Sequence, residues 1–394
     1  MKQLLGLIAI SMCFSLHAQD SWIQVDSMNG PPKSVTTSFV LQDTGYVIGG
    51  FLDNEFTRKM YSYNPIQNDW DDETSLSGET GSGNSRGSAV SFAIENKAYV
   101  GLGQGNTAGY YTDFWEYDAA TEAWTQIADF AGTGRRGAVA FAINGFGYVG
   151  TGQDATGLKK DFYKYDPSTN SWTQLNDFIG TARKYAVGFT MGGQAYVGTG
   201  YDGVYKNDFY MYLAEFDTWV VRASIPDVGK SGAVGWGSFP TAFICTGEDP
   251  AGNVTSDLWE FNYYSNAWVQ KADFIGPARK HATAFVIDGI GYVGTGFNNG
   301  TFYDDFYAYT PMLGLKNWAI DDFTFYPNPA TSTIQWNNTP IESLIISDLS
   351  GKVMDVNFDC KQQVISIAHL SAGTYFIQAN TEDGHIIQTT FVKQ

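Results

Sequence analysis

Three cysteines and four histidines in 394 residues leave this chain poor in the side chains that build disulfides and metal centres. Cys13 lies in an N-terminal apolar stretch, and Cys245 and Cys360 are far apart, so there is no disulfide framework. Cys245 reads as a small buried hydrophobe. His17 belongs to the N-terminal leader, His369 and His385 lie near the C-terminus, and His281 stands alone between them. One imidazole cannot build a copper centre with several imidazole ligands or a three-ligand zinc site. Charged residues are only 16% and the net charge is −18, which argues against nucleic acid and anionic membranes as partners of the whole chain. No phosphate-binding loop or Ser-x-Asp-x-Gly-x-Thr-Trp box occurs. The sequence therefore assigns no catalytic residue, no metal and no cofactor.

Long apolar runs are missing too, with one exception. Lys2, the apolar stretch Leu4–Leu16 and Ala18 ahead of Gln19 form an expected signal peptide over residues 1–18. That run is too short for a stable bilayer anchor, and no later one approaches eighteen residues, so no transmembrane segment is expected. Cys13 also admits a lipoprotein reading, which its neighbour Met12 disfavours.

What the chain does have is glycine, 44 of them, aromatics at 16%, and a repeat. An apolar strand closes on a glycine at Gly50, Gly103, Gly152, Gly200, Gly247 and Gly296, in steps of 53, 49, 48, 47 and 49. An aromatic strand follows, and then a Trp: Trp70, Trp124, Trp172, Trp219, Trp268 and Trp318. Strand-like alternation, as in Ala138–Asn144, replaces any helical period. A period near fifty with one Trp per unit predicts an all-β chain with a six-bladed β-propeller, four strands to a blade.

The residues resemble the Kelch-repeat family. YVGTG at Tyr148–Gly152, Tyr196–Gly200 and Tyr292–Gly296 is similar to the Kelch double-glycine strand, and DFWEYDAATEAW at Asp113–Trp124 to its third strand, turn and Trp. The fifth unit departs from the pattern with Pro240 in its turn. Spacing also predicts how the ring closes. Trp124, Trp172, Trp219 and Trp268 each precede the next closing glycine by 28 residues, and Trp22 precedes Gly50 by 28. Ser21–Val25 is thus expected to complete the sixth blade and remove an open sheet edge. Trp318, 22 residues after Gly296, competes for that place.

After Trp318 the repeat stops. Residues 319–394 read as short alternating strands between turn signals, a small antiparallel β-sandwich behind a propeller of residues 19–318. Tyr326–Pro329 (YPNP), Asp348–Lys352 (DLSGK), Leu370–Ile377 (LSAGTYFI) and the terminal FVKQ resemble, in order, the C-terminal sorting domain of type IX secretion cargo. The resemblance implies passage through the periplasm, engagement of the type IX machinery, and release to the medium or retention on the outer-membrane surface.

One constellation carries a candidate site. Seventeen residues before each closing glycine stands a cation: Lys33, Arg86, Arg135, Arg183, Lys230 and Arg279. In three units the next residue is also basic, namely Arg136, Lys184 and Lys280. Six-fold arrangement would gather these nine around one channel mouth and favour an anionic ligand. In Kelch domains that bind acidic peptides, the arginine at this repeat position lines the pocket, and the resemblance implies the same here. The competing reading makes each cation a partner of neighbouring carbonyls. The carboxylates Asp113, Asp161, Asp208, Asp257 and Asp305 recur at the start of the third strand in five units, which reads as turn hydrogen bonding. The expected function is a secreted binding or adhesion module for an acidic peptide or glycan. The alternatives are a sialic-acid-type epimerase, for which His281 is the candidate histidine, and a purely structural surface protein.

Overall fold

The computed structural model describes residues 20–76, 85–106, 109–311, 325–336, 341–348, 353–354, 356–359, 363–381 and 386–394. The signal-peptide residues, Trp318, Cys360, His385 and most of Asp348–Lys352 lie outside these. One unit spans Gln19–Pro311, ending before the boundary expected at 318, and a second holds Met312–Gln394.

Six four-stranded antiparallel sheets make up the first unit. Their inner strands are Thr37–Leu41, Val90–Ile94, Val139–Ile143, Val187–Met191, Val234–Ser238 and Thr283–Ile287. Alternation explains them: in Val90–Ile94 the residues Val90, Phe92 and Ile94 are buried between blades while Ser91 and Ala93 line the central channel. Small channel-facing residues recur in every blade, because six inner strands converge too closely for large side chains. The channel encloses two successive chambers of about 180 and 290 Å³.

The ring closes as the Trp22 spacing requires. Ser21–Val25 pairs antiparallel with Phe306–Thr310 and becomes the outer strand of the sixth blade. Trp22 is buried against Phe274, Tyr309 and Trp236, at centroid distances of 5.1, 4.9 and 6.5 Å. Its indole donates 3.1 Å to the Ala272 carbonyl of the fifth blade. The same stitch recurs: Trp70 donates to Asp26, Trp124 to Thr74, Trp172 to Ala128 and Trp268 to Ala223. One Trp per unit therefore fills the space between blades, and in five of the six it also ties its blade to the one before; the Nε1 of Trp219, in the fourth blade, has no hydrogen-bond partner among the described residues.

The second unit is a two-sheet sandwich. Phe325–Tyr326, Thr333–Trp336, Val364–Ser366 and Asn357–Asp359 form one sheet; Val353–Met354, Ile341–Asp348, Gly373–Thr381 and Ile386–Lys393 form the other. Ile334, Trp336 and Ile365 from the first meet Ile346, Ile377 and Phe391 from the second in one core.

Candidate ligand-binding mouth

Two closed rings of backbone hydrogen bonds build the end of the channel from which the inner strands start. In the first, the closing glycine of each blade donates to the carbonyl of the buried cation in the next, as Gly103 does to Arg135 and Gly296 to Lys33, both at 2.8 Å. The second runs through Val35, Ser88, Gly137, Tyr185, Gly232 and His281. Each amide donates to the preceding residue of this set, and Val35 returns the ring to His281 at 2.9 Å. All six have positive φ, from 52 to 64°. Gly137 and Gly232 have a further reason to be glycine. A Cβ on either would lie 2.8 Å from the ring of Tyr185 or His281.

The first-row cations are not at the surface. Lys33, Arg86, Arg135, Arg183, Lys230 and Arg279 are 0–1% exposed. Arg279 donates to both carboxylate oxygens of Asp305, at 2.6 and 3.0 Å, and to the Thr295 carbonyl at 2.8 Å. Arg86 pairs in this way with Asp113, Arg135 with Asp161, and Arg183 with Asp208, while Lys230 bonds Asp257. The recurrent aspartates are therefore counter-ions to buried cations, which differs from the turn role expected of them. Turn geometry was visible in the local sequence. A partner 25–27 residues away was visible only as a second repeat at a nearly constant offset.

The second row behaves differently. Arg136, Lys184 and Lys280 are each partly exposed around the six-residue ring. Arg136 Nη1 donates 2.8 Å to Gln104 Oε1, and Lys184 Nζ donates 2.7 Å to Gln153 Oε1. Lys280 pairs with Glu248 at 2.5 Å, each side chain 22% exposed. Burial, and next the Arg136 charge, lower the Lys184 pKa. Tyr185 and His281 form the floor, edge to face at 4.5 Å. Burial first, then Lys280, moves the His281 pKa down to about 4, with Lys184 and Arg136 adding to the shift and Glu248 opposing it. The imidazole is neutral at pH 7. Tyr201 and Tyr205 stand on the rim, and the Tyr205 hydroxyl donates 2.9 Å to Glu248. The sequence reading named the cations but missed Gln104, Gln153, Glu248 and Tyr185. Gln104, Gln153 and Glu248 sit one loop away from the cations and share a single repeat position directly after the closing glycine, whereas Tyr185 directly follows Lys184. Among the described residues, no three His, Cys, Asp or Glu side chains cluster as a metal site would require.

A family model described as a KLHDC2/KLHL20/DRC7 Kelch-repeats domain matches residues 36–231, which takes in the first four blades. A second, described as a secretion system C-terminal sorting domain, matches residues 324–393. No curated protein matches the chain. A solved structure titled "Structure of YjhT" is similar with a TM-score of 0.62 and 16% identity, over 72% of this chain and 95% of that one, a likeness of fold. Repeat, blades and tail agree: the chain is an exported Kelch-repeat β-propeller followed by a type IX secretion C-terminal sorting domain.

Proposed function

We propose that the propeller is a binding module that takes an anionic ligand at the mouth over Tyr185 and His281. The observation that carries this is the state of Arg136 and Lys184. Both are partly exposed, both bond only neutral glutamine oxygens, and neither has a carboxylate partner among the described residues. In a chain of net charge −18 this leaves a local positive potential at a concave rim, where carboxylate, sulfate or phosphate groups gain most. The first-row arginines support the rim from beneath. The test is an acidic-peptide and glycan array probed with wild type, Arg136→Glu and Lys184→Glu, each beside a melting curve. Binding that falls in both variants at unchanged melting temperature, and weakens with salt, supports the reading. Binding indifferent to both reversals refutes it.

A catalytic reading has one favourable observation, a neutral imidazole at the mouth with Glu248 close enough to affect its pKa. Epimerisation needs an acid and a base on one substrate carbon. Yet Glu248 is tied to Lys280 and Tyr205, and an imidazole held near 4 is a weak base. Binding is the function that the geometry supports better.

A further inference from the structure

Five of the six buried cations bond an aspartate across their own blade, and the sixth, Lys33, does not. Lys230 is the matched lysine within the same molecule. Its ammonium bonds Asp257 and lies 3.2 Å from Asp227. Asp257 immediately precedes the third strand of its blade, Leu258–Asn262; the residue before the corresponding strand of the first blade, Met60–Asn64, is Lys59. Asp227 lies three residues before Lys230; three residues before Lys33 is Gly30. Both carboxylates are thus replaced, one by a cation and one by no side chain at all.

The consequence is an orphaned amine. Lys33 is 1% exposed, and its Nζ is buried without a hydrogen-bond partner. Its neighbour is the Tyr61 ring, with Nζ 4.3 Å from the centroid. Tyr61 occupies the repeat position of Trp259, whose indole donates to Asp257 in the fifth blade. The phenol leans over Gly30, where even a Cβ would lie 2.4 Å from the hydroxyl oxygen. A cation–π contact offsets part of the desolvation cost, but all three N–H donors are left unmet. Burial moves the Lys33 pKa down to about 8, so the amine is still mostly charged at pH 7. The Asp72 charge acts on it only through space, from the exposed outer strand. Buried charges in proteins are paired, and an unpaired one costs several kcal/mol.

We propose that Lys33 binds a small monovalent anion of chloride size in the first blade, in the role that aspartate fills in the other five. The enclosure sets the size. Tyr61 is 5% exposed and Lys33 1%, an enclosure that favours the smallest anions over sulfate, phosphate or a sugar acid. This site is independent of the mouth and of whatever binds there.

Thermal unfolding of the exported protein in sodium chloride, against sodium gluconate at equal ionic strength, tests the proposal. Wild type should melt progressively higher as chloride rises, as binding to the native state alone requires. Lys59→Asp restores the carboxylate found in the fifth blade. It should melt higher than wild type in gluconate and lose the chloride dependence. Lys33→Met removes the charge and should lose the dependence as well. Bromide diffused into crystals should give an anomalous peak beside Lys33 Nζ in wild type and none in Lys59→Asp. No chloride dependence in wild type, or the same dependence in all three proteins, would overturn the site.

Discussion

Arg135 and Asp161 close a two-pronged ion pair inside the third blade, with Nη1 2.5 Å from Oδ1 and Nη2 2.9 Å from Oδ2. The arginine also donates to the carbonyls of Thr133 and Thr151 and lies over the Phe130 ring. Removing the guanidinium strands a carboxylate and two carbonyls at the propeller hub. Arg135→Ala should therefore cost about 3–5 kcal/mol of stability, the range for breaking a buried pair from one side. Lys184→Ala, one blade on and on the second row, should stay within about 0.5 kcal/mol. Urea unfolding of the two variants compares them directly, and equal midpoints would show that the hub pair is not structural.

The N-terminal strand should matter out of proportion to its length. Trp22 fills a buried site against Phe274 and Tyr309, and Ser21–Val25 covers the edge of Phe306–Thr310. Trp22→Ala should cost about 3–5 kcal/mol through lost burial and the cavity left behind. Deleting Ser21–Val25 should do more, because it also exposes a row of unpaired backbone groups to other chains. A deletion variant that melts with wild type and stays monomeric would place the closure of the ring elsewhere.

Acid should weaken the propeller through His281. Its folded pKa is about 4 against an ordinary 6.5, so between those values the unfolded chain binds the extra proton. Stability from this group is complete above pH 6.5 and is lost as the pH falls toward 4, by up to about 3 kcal/mol. His281→Gln cannot take up that proton. Chemical denaturation from pH 7 to 4 should give a shallower decline for the variant, and parallel curves would assign the acid sensitivity to carboxylates alone.

Blade number, strand order and ring closure were legible because the determinants are local and repeated six times. A glycine must follow the second strand, a Trp must close the fourth, and the constant interval of 28 residues finds Trp22. The positions of Arg136, Lys184 and Lys280 beside the channel were legible for the same reason. What the sequence concealed was which row faces solvent. Adjacent residues such as Arg135 and Arg136 carry the same charge, and only the positive φ of the ring residue Gly137 and the reach to Asp161 send one inward. The exception at Lys33 was visible as six cations against five aspartates. Its meaning depended on knowing that the two sets pair.

The C-terminal unit should be read by the export machinery as a folded object, because two of its motifs are joined in space. Asn328, within YPNP, accepts a hydrogen bond from the Val392 amide at 2.9 Å and donates to the Thr390 carbonyl at 3.1 Å. Ala330 then exchanges backbone bonds with Val392 and Gln394, so the terminal strand is zipped to a segment more than sixty residues earlier. Asn328→Ala removes both side-chain bonds, each worth about 1 kcal/mol, and should loosen the terminal strand locally. The expected outcome is a propeller that melts as wild type does but accumulates in the periplasm, as it should also when residues 325–394 are removed. Fractionating cells and medium for wild type, Asn328→Ala and the truncation makes the comparison. Full export of the truncated protein would remove this unit from the secretion pathway. Export lost on truncation but intact in Asn328→Ala would show that the tail acts without the contact between Asn328 and the terminal strand.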